Sequence, residues 1–262
     1  MSHIHIPDGV LPFWLVAAGW AVTALLLALV TWRLRREGSG RRLPLLGVFA
    51  AVMLVGMSTE IVPIGYHANL SVLTGIILGP SLGFLAAFVV NLILAMFGHG
   101  GITVVGLNTI VLGAEATLGY LLFRSIWSLL RRRQSSPALA AAVSTGIALV
   151  LSSLLMIGLV ALSDVGPRTQ VATSLPEGLA FQNPLEHGLI GSELGHTDEQ
   201  VVESAPPVDV ETFAKLVFIF GIAGWVGESL LTGVIAAFLH RVRPDLLGGQ
   251  AAARVARSGR VA

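Results

Sequence analysis

The chain has 262 residues, of which 54% are hydrophobic and 12% charged, with a mean hydropathy of +0.82. Soluble domains carry roughly a quarter charged residues, so a cytosolic enzyme, a nucleic-acid binder and a disordered tail are excluded. Long uncharged runs of Leu, Ala, Val, Ile and Gly mark an all-α, polytopic integral membrane helical bundle in a cell membrane, multi-pass and in contact with lipid. Cysteine is absent, which excludes disulfides, zinc–thiolate and haem–thiolate sites and cysteine-held iron–sulfur clusters.

The opening MSHIHIPDGV has no basic region ahead of an apolar stretch, so no cleavable signal peptide is expected. Leu11 to Trp32 is the first run long enough to span, closed by the basic RLRREGSGRR; Trp14 and Trp32 fit interfacial anchors, and Trp20 falls mid-span. Leu43 to about Ser58 is the second. Leu70 to Phe123 is apolar but broken at Gly79-Pro80 and at the GHGG of residues 98–101. Ala138 to Leu162 and Phe213 to Leu239 complete the set. The expected organisation is one membrane domain over 1–247, with an N-terminal arm over 1–11, an extracytoplasmic loop over 163–211 and a cytoplasmic tail over 248–262.

Charge along the chain sets the expected orientation. Fourteen of the 16 basic residues fall in Arg33–Arg42, Arg124–Arg133 and Arg241–Arg260, whereas 164–211 holds nine of the 15 acidic residues and only Arg168 against them. The positive-inside rule puts the three basic clusters in the cytoplasm. Residues 58–68 are then outside and Arg124 inside, so 69–123 must cross an odd number of times. Three segments, about 69–79, 81–97 and 102–123, satisfy this, with Pro80 opening a helix where its missing N–H costs nothing. The first rises only about 17 Å and must be a partial span packed against its neighbours. The result is about seven segments, N-terminus outside and C-terminus inside.

This topology brings His3 and His5, His67 and His99 to the outer face from three distant parts of the sequence. Neutral imidazole is the commonest metal ligand, and nitrogen-rich sites suit Ni(II), Co(II), Cu(II) and Zn(II). An early histidine adds a chelate of α-amine, deprotonated backbone nitrogens and imidazole, whose in-plane donors favour Ni(II) or Cu(II). With Met1 retained, His3 is third and amine, two amides and imidazole can wrap an ion. With Met1 removed, as the small Ser2 allows, Ser2 carries the amine, His3 is second, and His67 is the natural fourth donor. His99, between glycines, fits a turn or a hydrogen bond better than ligation.

Asn91, Asn108, Glu115 and Glu228 lie in apolar segments, where polar groups are costly and often functional. Glu60 at the outer edge, with Glu115 and Glu228, could form an intramembrane cation path or proton relay. The simpler reading is hydrogen bonding between helices, favoured because neither Glu115 nor Glu228 has a second acid nearby on its own helix. No GxxxxGK[ST] loop occurs, so any ATP dependence must come from another subunit. HExxH is absent too, and the reading is a non-catalytic chain without a resident cofactor.

The motifs carry a family resemblance. His5-Ile6-Pro7-Asp8-Gly9-Val10-Leu11-Pro12 resembles the M-H-I-x-[DE]-G-[FY]-L-P opening of the CbiM/NikM-type cobalt and nickel permeases, the substrate-specific (S) components of energy-coupling factor transporters. His67 followed by Gly79-Pro80, GHGGITVVGLN at 98–108 and the C-terminal ESLLTGVIAAFLHRVRPDLL are similar to that family's second histidine and G-P, its H-G-G-[LI]-T-x-x-G-x-N signature and its last helix. The resemblance spans about 1–130 and 211–247 and leaves out 163–211.

It implies a metal held by an N-terminal amine, the backbone nitrogen and imidazole of the next histidine, and a loop histidine. Carried over, His5 matches the first histidine and His67 the second, but Met1-Ser2-His3-Ile4 precede His5. Either the chain is trimmed after His3, or Ser2-His3 takes the Met-His part and His5 is an extra ligand or structural. Asp8, with Gly9, turns the arm back toward the bundle; Asp8, His99 and Asn108 are the expected pocket residues around the ligands. The implied function is uptake of Ni(II) or Co(II), equally weighted, with two cytoplasmic ATPase subunits, a transmembrane coupling subunit and a small accessory membrane subunit as partners. The rival readings are a proton-coupled secondary divalent-metal transporter using Glu60, Glu115 and Glu228, and a metal-binding scaffold or sensor.

Overall fold

A computed structural model describes residues 11–37, 43–59, 67–98, 101–130, 136–165 and 210–249. Among these residues the chain forms seven α-helices and no strand. They are α1 (Phe13–Glu37), α2 (Leu43–Ser58), α3 (Ser71–Leu78), α4 (Pro80–Met96), α5 (Val105–Leu130), α6 (Pro137–Val165) and α7 (Val210–Val242), followed by a 3-10 helix over Pro244–Gly249. The apolar runs thus form helices where the hydropathy placed them. Several continue past the apolar stretch: α1 to Glu37 and α5 to Leu130. The basic end of α1, Arg35 and Arg36, complements the negative end of the helix dipole, and the Arg36 guanidinium lies 3.9 Å from the Trp32 ring centroid.

Among the described residues, four helical stretches are long and apolar enough to cross a membrane, namely Phe13–Arg36, Val105–Leu130, Pro137–Ser163 and Gly221–Val242; α2 and α4 are shorter apolar helices. Their apolar surface is turned outward as lipid requires. Val22, Leu25 and Leu29 of α1, Leu151 and Leu154 of α6, and Leu230, Val234 and Phe238 of α7 are all exposed. In α5 the pattern reverses, and 61% of its most apolar window is buried. It is the central post of the bundle, packed against α1, α3, α4 and α6.

The expected partial span is α3. It has only eight residues, every one of them buried, and rises about 12 Å. A helix that is apolar all round needs neighbours all round, and α3 has α2, α4, α5, α6, α7 and the 3-10 helix. Its end and the start of α4 meet at Gly79, whose φ of 86° is open to glycine and strained for other residues. Pro80 then occupies the first position of α4, where a proline ring is pre-organised for the helix. The hairpin presses on α5. A Cβ on Gly75 would stand 2.1 Å from the Ala116 carbonyl oxygen, and one on Gly83 would stand 3.2 Å from the Gly75 Cα.

α1 is fastened to the start of α5 by two side-chain bonds. Trp20 Nε1 donates to the Thr103 carbonyl at 2.6 Å, and Thr23 Oγ1 donates to the Gly106 carbonyl at 2.7 Å. Trp20 therefore works inside the bundle as a tie between helices. Leu11 and Leu15, at the root of the N-terminal arm, pack into a cluster with Val104, Leu107, Val111 and Trp225. Leu11 is thus held at the end of the bundle where α5 begins.

Candidate metal site and the buried carboxylates beneath it

The sequence-predicted residues divide by position. Ser2, His3, His5 and Asp8 of the arm, Glu60, and His99 lie outside the described residues. His67 is half-buried in the stretch that leads into α3, and Asn108 is buried in the first turn of α5. Among the described residues, no three His, Cys, Asp or Glu side chains gather as a metal-holding group. Of the expected ligands, the described structure therefore places His67 and the chain on which it stands.

That chain is unusual. The residues after His67 pass into the interior, and Ala68, Asn69, Leu70 and Ser71 are all buried. They lie at the level of Glu115, ten residues and about 15 Å along α5. Leu70 adopts φ 56°, ψ 16°, the one non-glycine residue with positive φ among those described. A left-handed conformation costs an ordinary residue roughly 1–2 kcal/mol, and it persists only where the surroundings over-determine it.

The surroundings are two carboxylates, both fully buried. Glu228 of α7 accepts the Leu70 N–H on Oε1 at 2.9 Å and the Asn69 N–H on Oε2 at 3.4 Å. Glu115 of α5 accepts from Asn69 Nδ2 at 2.6 Å and from the Ser71 hydroxyl on Oε1. Its Oε2 accepts from the Ser152 hydroxyl of α6 at 2.8 Å. Asn69 also turns back on its own chain, its Oδ1 accepting the Ser71 N–H at 3.1 Å. The Leu70 carbonyl accepts both the N–H and the hydroxyl of Thr74, at 3.0 and 2.9 Å. α2 also closes on this stretch at Gly56, where a Cβ would stand 2.5 Å from the Ala68 carbonyl oxygen.

The two glutamates, on different helices and without a second acid nearby on either, are thus gathered by the fold onto one strip of three residues. The expected helix-to-helix bonding holds for Glu115 and Ser152. The larger share of the bonds runs from helix to strip, since all four carboxylate oxygens take part and three of them hold residues 69–71. Both carboxyl groups sit at the N-terminal end of α3, where backbone N–H groups need acceptors. Asn69, Ser71 and Ser152 escaped the sequence reading. Their signal was present: Asn-Leu-Ser followed by Thr74 is a helix-start pattern of short polar side chains, and polar groups in an apolar segment need partners.

A second polar pair joins α4 and α5, where Asn91 Nδ2 faces Thr109 Oγ1 at 3.5 Å. Asn108, the neighbour of Thr109 in the chain, is two helical turns along α5 from Glu115.

Comparison with known proteins agrees with this architecture. The sequence profile of the CbiM family, described as the cobalt uptake substrate-specific transmembrane region, matches residues 5–246. Two relatives carry provisional names as metal transport proteins. One, from Haloquadratum walsbyi, is 35% identical over 158 residues, covering 58% of this chain and 70% of that protein. The other, from Haemophilus influenzae, is 34% identical over 127 residues, covering 47% and 58%. The crystal structures of a truncated transition metal transporter and of a transition metal transporter each superpose with a TM-score of 0.66. They share 19% and 20% identity, and the alignments cover 91% of this chain and 99% and 93% of theirs. At that identity the likeness speaks for the fold. With the profile match running from the arm histidine His5 to the 3-10 helix after α7, this multi-pass membrane protein belongs to the CbiM family and is a membrane component of metal uptake.

Proposed function

We propose that this chain is the substrate-binding membrane component of an ATP-driven transporter that takes up Ni(II) or Co(II). The observation that carries the reading is the family match over 5–246, and the half-buried His67 on its anchored strip supports it. In this reading the substrate ion is captured on the outward face. Its donors are His67 and an N-terminal chelate of amine, backbone nitrogen and the imidazole of His3 or His5, with Ser2 supplying the amine if Met1 is removed. Such donors are neutral or deprotonated when they bind, so capture releases protons and weakens as pH falls. Asp8, His99 and Asn108 shape the pocket. ATP hydrolysis resides on two cytoplasmic subunits joined through a transmembrane coupling subunit, with a small accessory membrane subunit beside them.

The test is calorimetry with Ni(II) and Co(II) on the purified full chain, after mass spectrometry of its N-terminus. His67→Ala and one of His3→Ala and His5→Ala each lower affinity by at least about 100-fold, the scale of one lost donor in a four-donor site. Nitrogen sites bind Ni(II) more tightly than Co(II) whatever they transport, so uptake of each ion by cells, not relative affinity, identifies the transported one. Wild-type binding by all three variants overturns the site. Uptake that continues in cells depleted of ATP but holding a proton gradient overturns the ATP-driven mechanism in favour of proton coupling.

A further inference from the structure

We infer that Glu228 and Glu115 are positioning residues for metal capture: they hold the strip after His67 in its left-handed bend and so fix where that imidazole stands. The inference rests on the reading of His67 as a ligand and adds to it two residues that need not touch the metal.

Leu70, at the N-cap of α3, offers no side-chain cap, and Asn69 accepts the Ser71 N–H from one residue further back. The two buried carboxyl groups do not cap α3 either: Glu228 takes the N–H groups of Asn69 and Leu70, ahead of the helix, and Glu115 takes the side-chain donors of Asn69 and Ser71. Their bonds fall on residues 69–71, immediately after His67, and span the one non-glycine positive-φ residue among those described. Glu228 bonds the backbone itself, through two consecutive N–H groups, so it defines the path of the chain whatever the side chains. Glu115 passes the restraint on to α6 through Ser152. α2 adds a further restraint, with the Ala68 carbonyl pressed against Gly56. The residue that follows His67 is thus held by α2 and the next two by α5 and α7. Two peptide units further back, the imidazole has little backbone freedom left to lose when it binds.

Groups that orient a ligand without binding the ion typically change metal affinity by about 10- to 100-fold when altered. Preorganisation acts by removing the entropy cost of ordering the ligand. The test uses the full chain in detergent: wild type, His67→Ala, Glu228→Gln and Asn69→Ser. Affinities for Ni(II) and Co(II) are measured per folded molecule, together with melting of the metal-free protein and the visible absorption of the Ni(II)-saturated form. Asn69→Ser keeps an acceptor for the Ser71 N–H and leaves both carboxylates in place, so it reports even if Glu228→Gln does not fold.

The expected result is a fall of about tenfold or more in affinity for the folded variants. Their Ni(II) absorption at saturation is unchanged, because the donors are the same. A role confined to holding the fold together would lower the metal-free melting temperature and leave affinity per folded molecule at the wild-type value; that outcome overturns the inference. If His67→Ala loses binding while Glu228→Gln and Asn69→Ser bind as wild type, the positioning role fails and the ligand assignment stands. If His67→Ala binds as wild type, the ligand assignment fails and takes the positioning role with it.

Discussion

A carboxylate in the middle of an apolar bundle is tolerable only if its oxygens are occupied. Glu115 meets that condition with donors from three residues: Asn69 and Ser71 at the start of α3, and Ser152 of α6. Truncating Glu115 to Ala strands all of these donors, and a buried group without a partner costs roughly 1–3 kcal/mol. Glu115→Ala is therefore expected to lose about 3 kcal/mol or more of stability. Glu115→Gln, whose amide oxygen still accepts and whose serine partners can rotate their hydroxyls, loses about 1 kcal/mol. Denaturant titration of the purified protein in detergent separates the two, and equal losses would show that charge rather than partner count stabilises the cluster. At this scale the sequence was legible only in part. Glu115 and Glu228 stand out in any hydropathy reading, but their partners lie 46 and 158 positions away along the chain. No local pattern encodes a separation of that kind.

The elements themselves were legible, because each is an unbroken apolar run and each break is a backbone event. Gly79-Pro80 ends one helix and starts the next for reasons that belong to those two residues alone. What the runs do not disclose is how closely two helices approach. Gly75 shows this: the backbone of α3 meets the Ala116 carbonyl of α5 so closely that a Cβ there would overlap it. Gly75→Ala must push α3 off α5, an overpacking expected to cost about 1–3 kcal/mol. Gly47→Ala in α2 and Gly158→Ala in α6, where nothing stands within 4 Å, should be neutral or stabilising by up to about 1 kcal/mol. Thermal melting of the three variants checks this, and a Gly75→Ala protein as stable as Gly158→Ala would refute the close approach. Interfaces between membrane helices are built on such small residues, and a glycine at an interface reads the same in sequence as one facing lipid.

For the whole molecule the open quantity is orientation, and the absence of cysteine makes it directly measurable. Single substitutions Ser39→Cys and Ser258→Cys sit in the first and third basic clusters, Ser135→Cys sits two residues past the second, and Ser192→Cys sits in the acidic segment. In intact cells, a membrane-impermeant maleimide is expected to label Ser192→Cys alone, the other three reacting only after permeabilisation. Labelling of Ser135→Cys from outside would reverse the topology and with it the outward face assigned to His67. By itself the sequence determined the membrane class, the approximate positions of the seven described α-helices, the helix break at Gly79-Pro80 and the family to which the motifs point. All of these follow from contiguous residues, since apolar length, charge bias and turn chemistry act within a few positions of the chain. Only the tertiary structure decided that α3 is enclosed on all sides, that Trp20 ties α1 to α5, and that Glu115 and Glu228 close on residues 69–71. Those facts depend on packing and hydrogen bonds between segments far apart in sequence, where burial leaves a polar group no partner but the one the fold supplies.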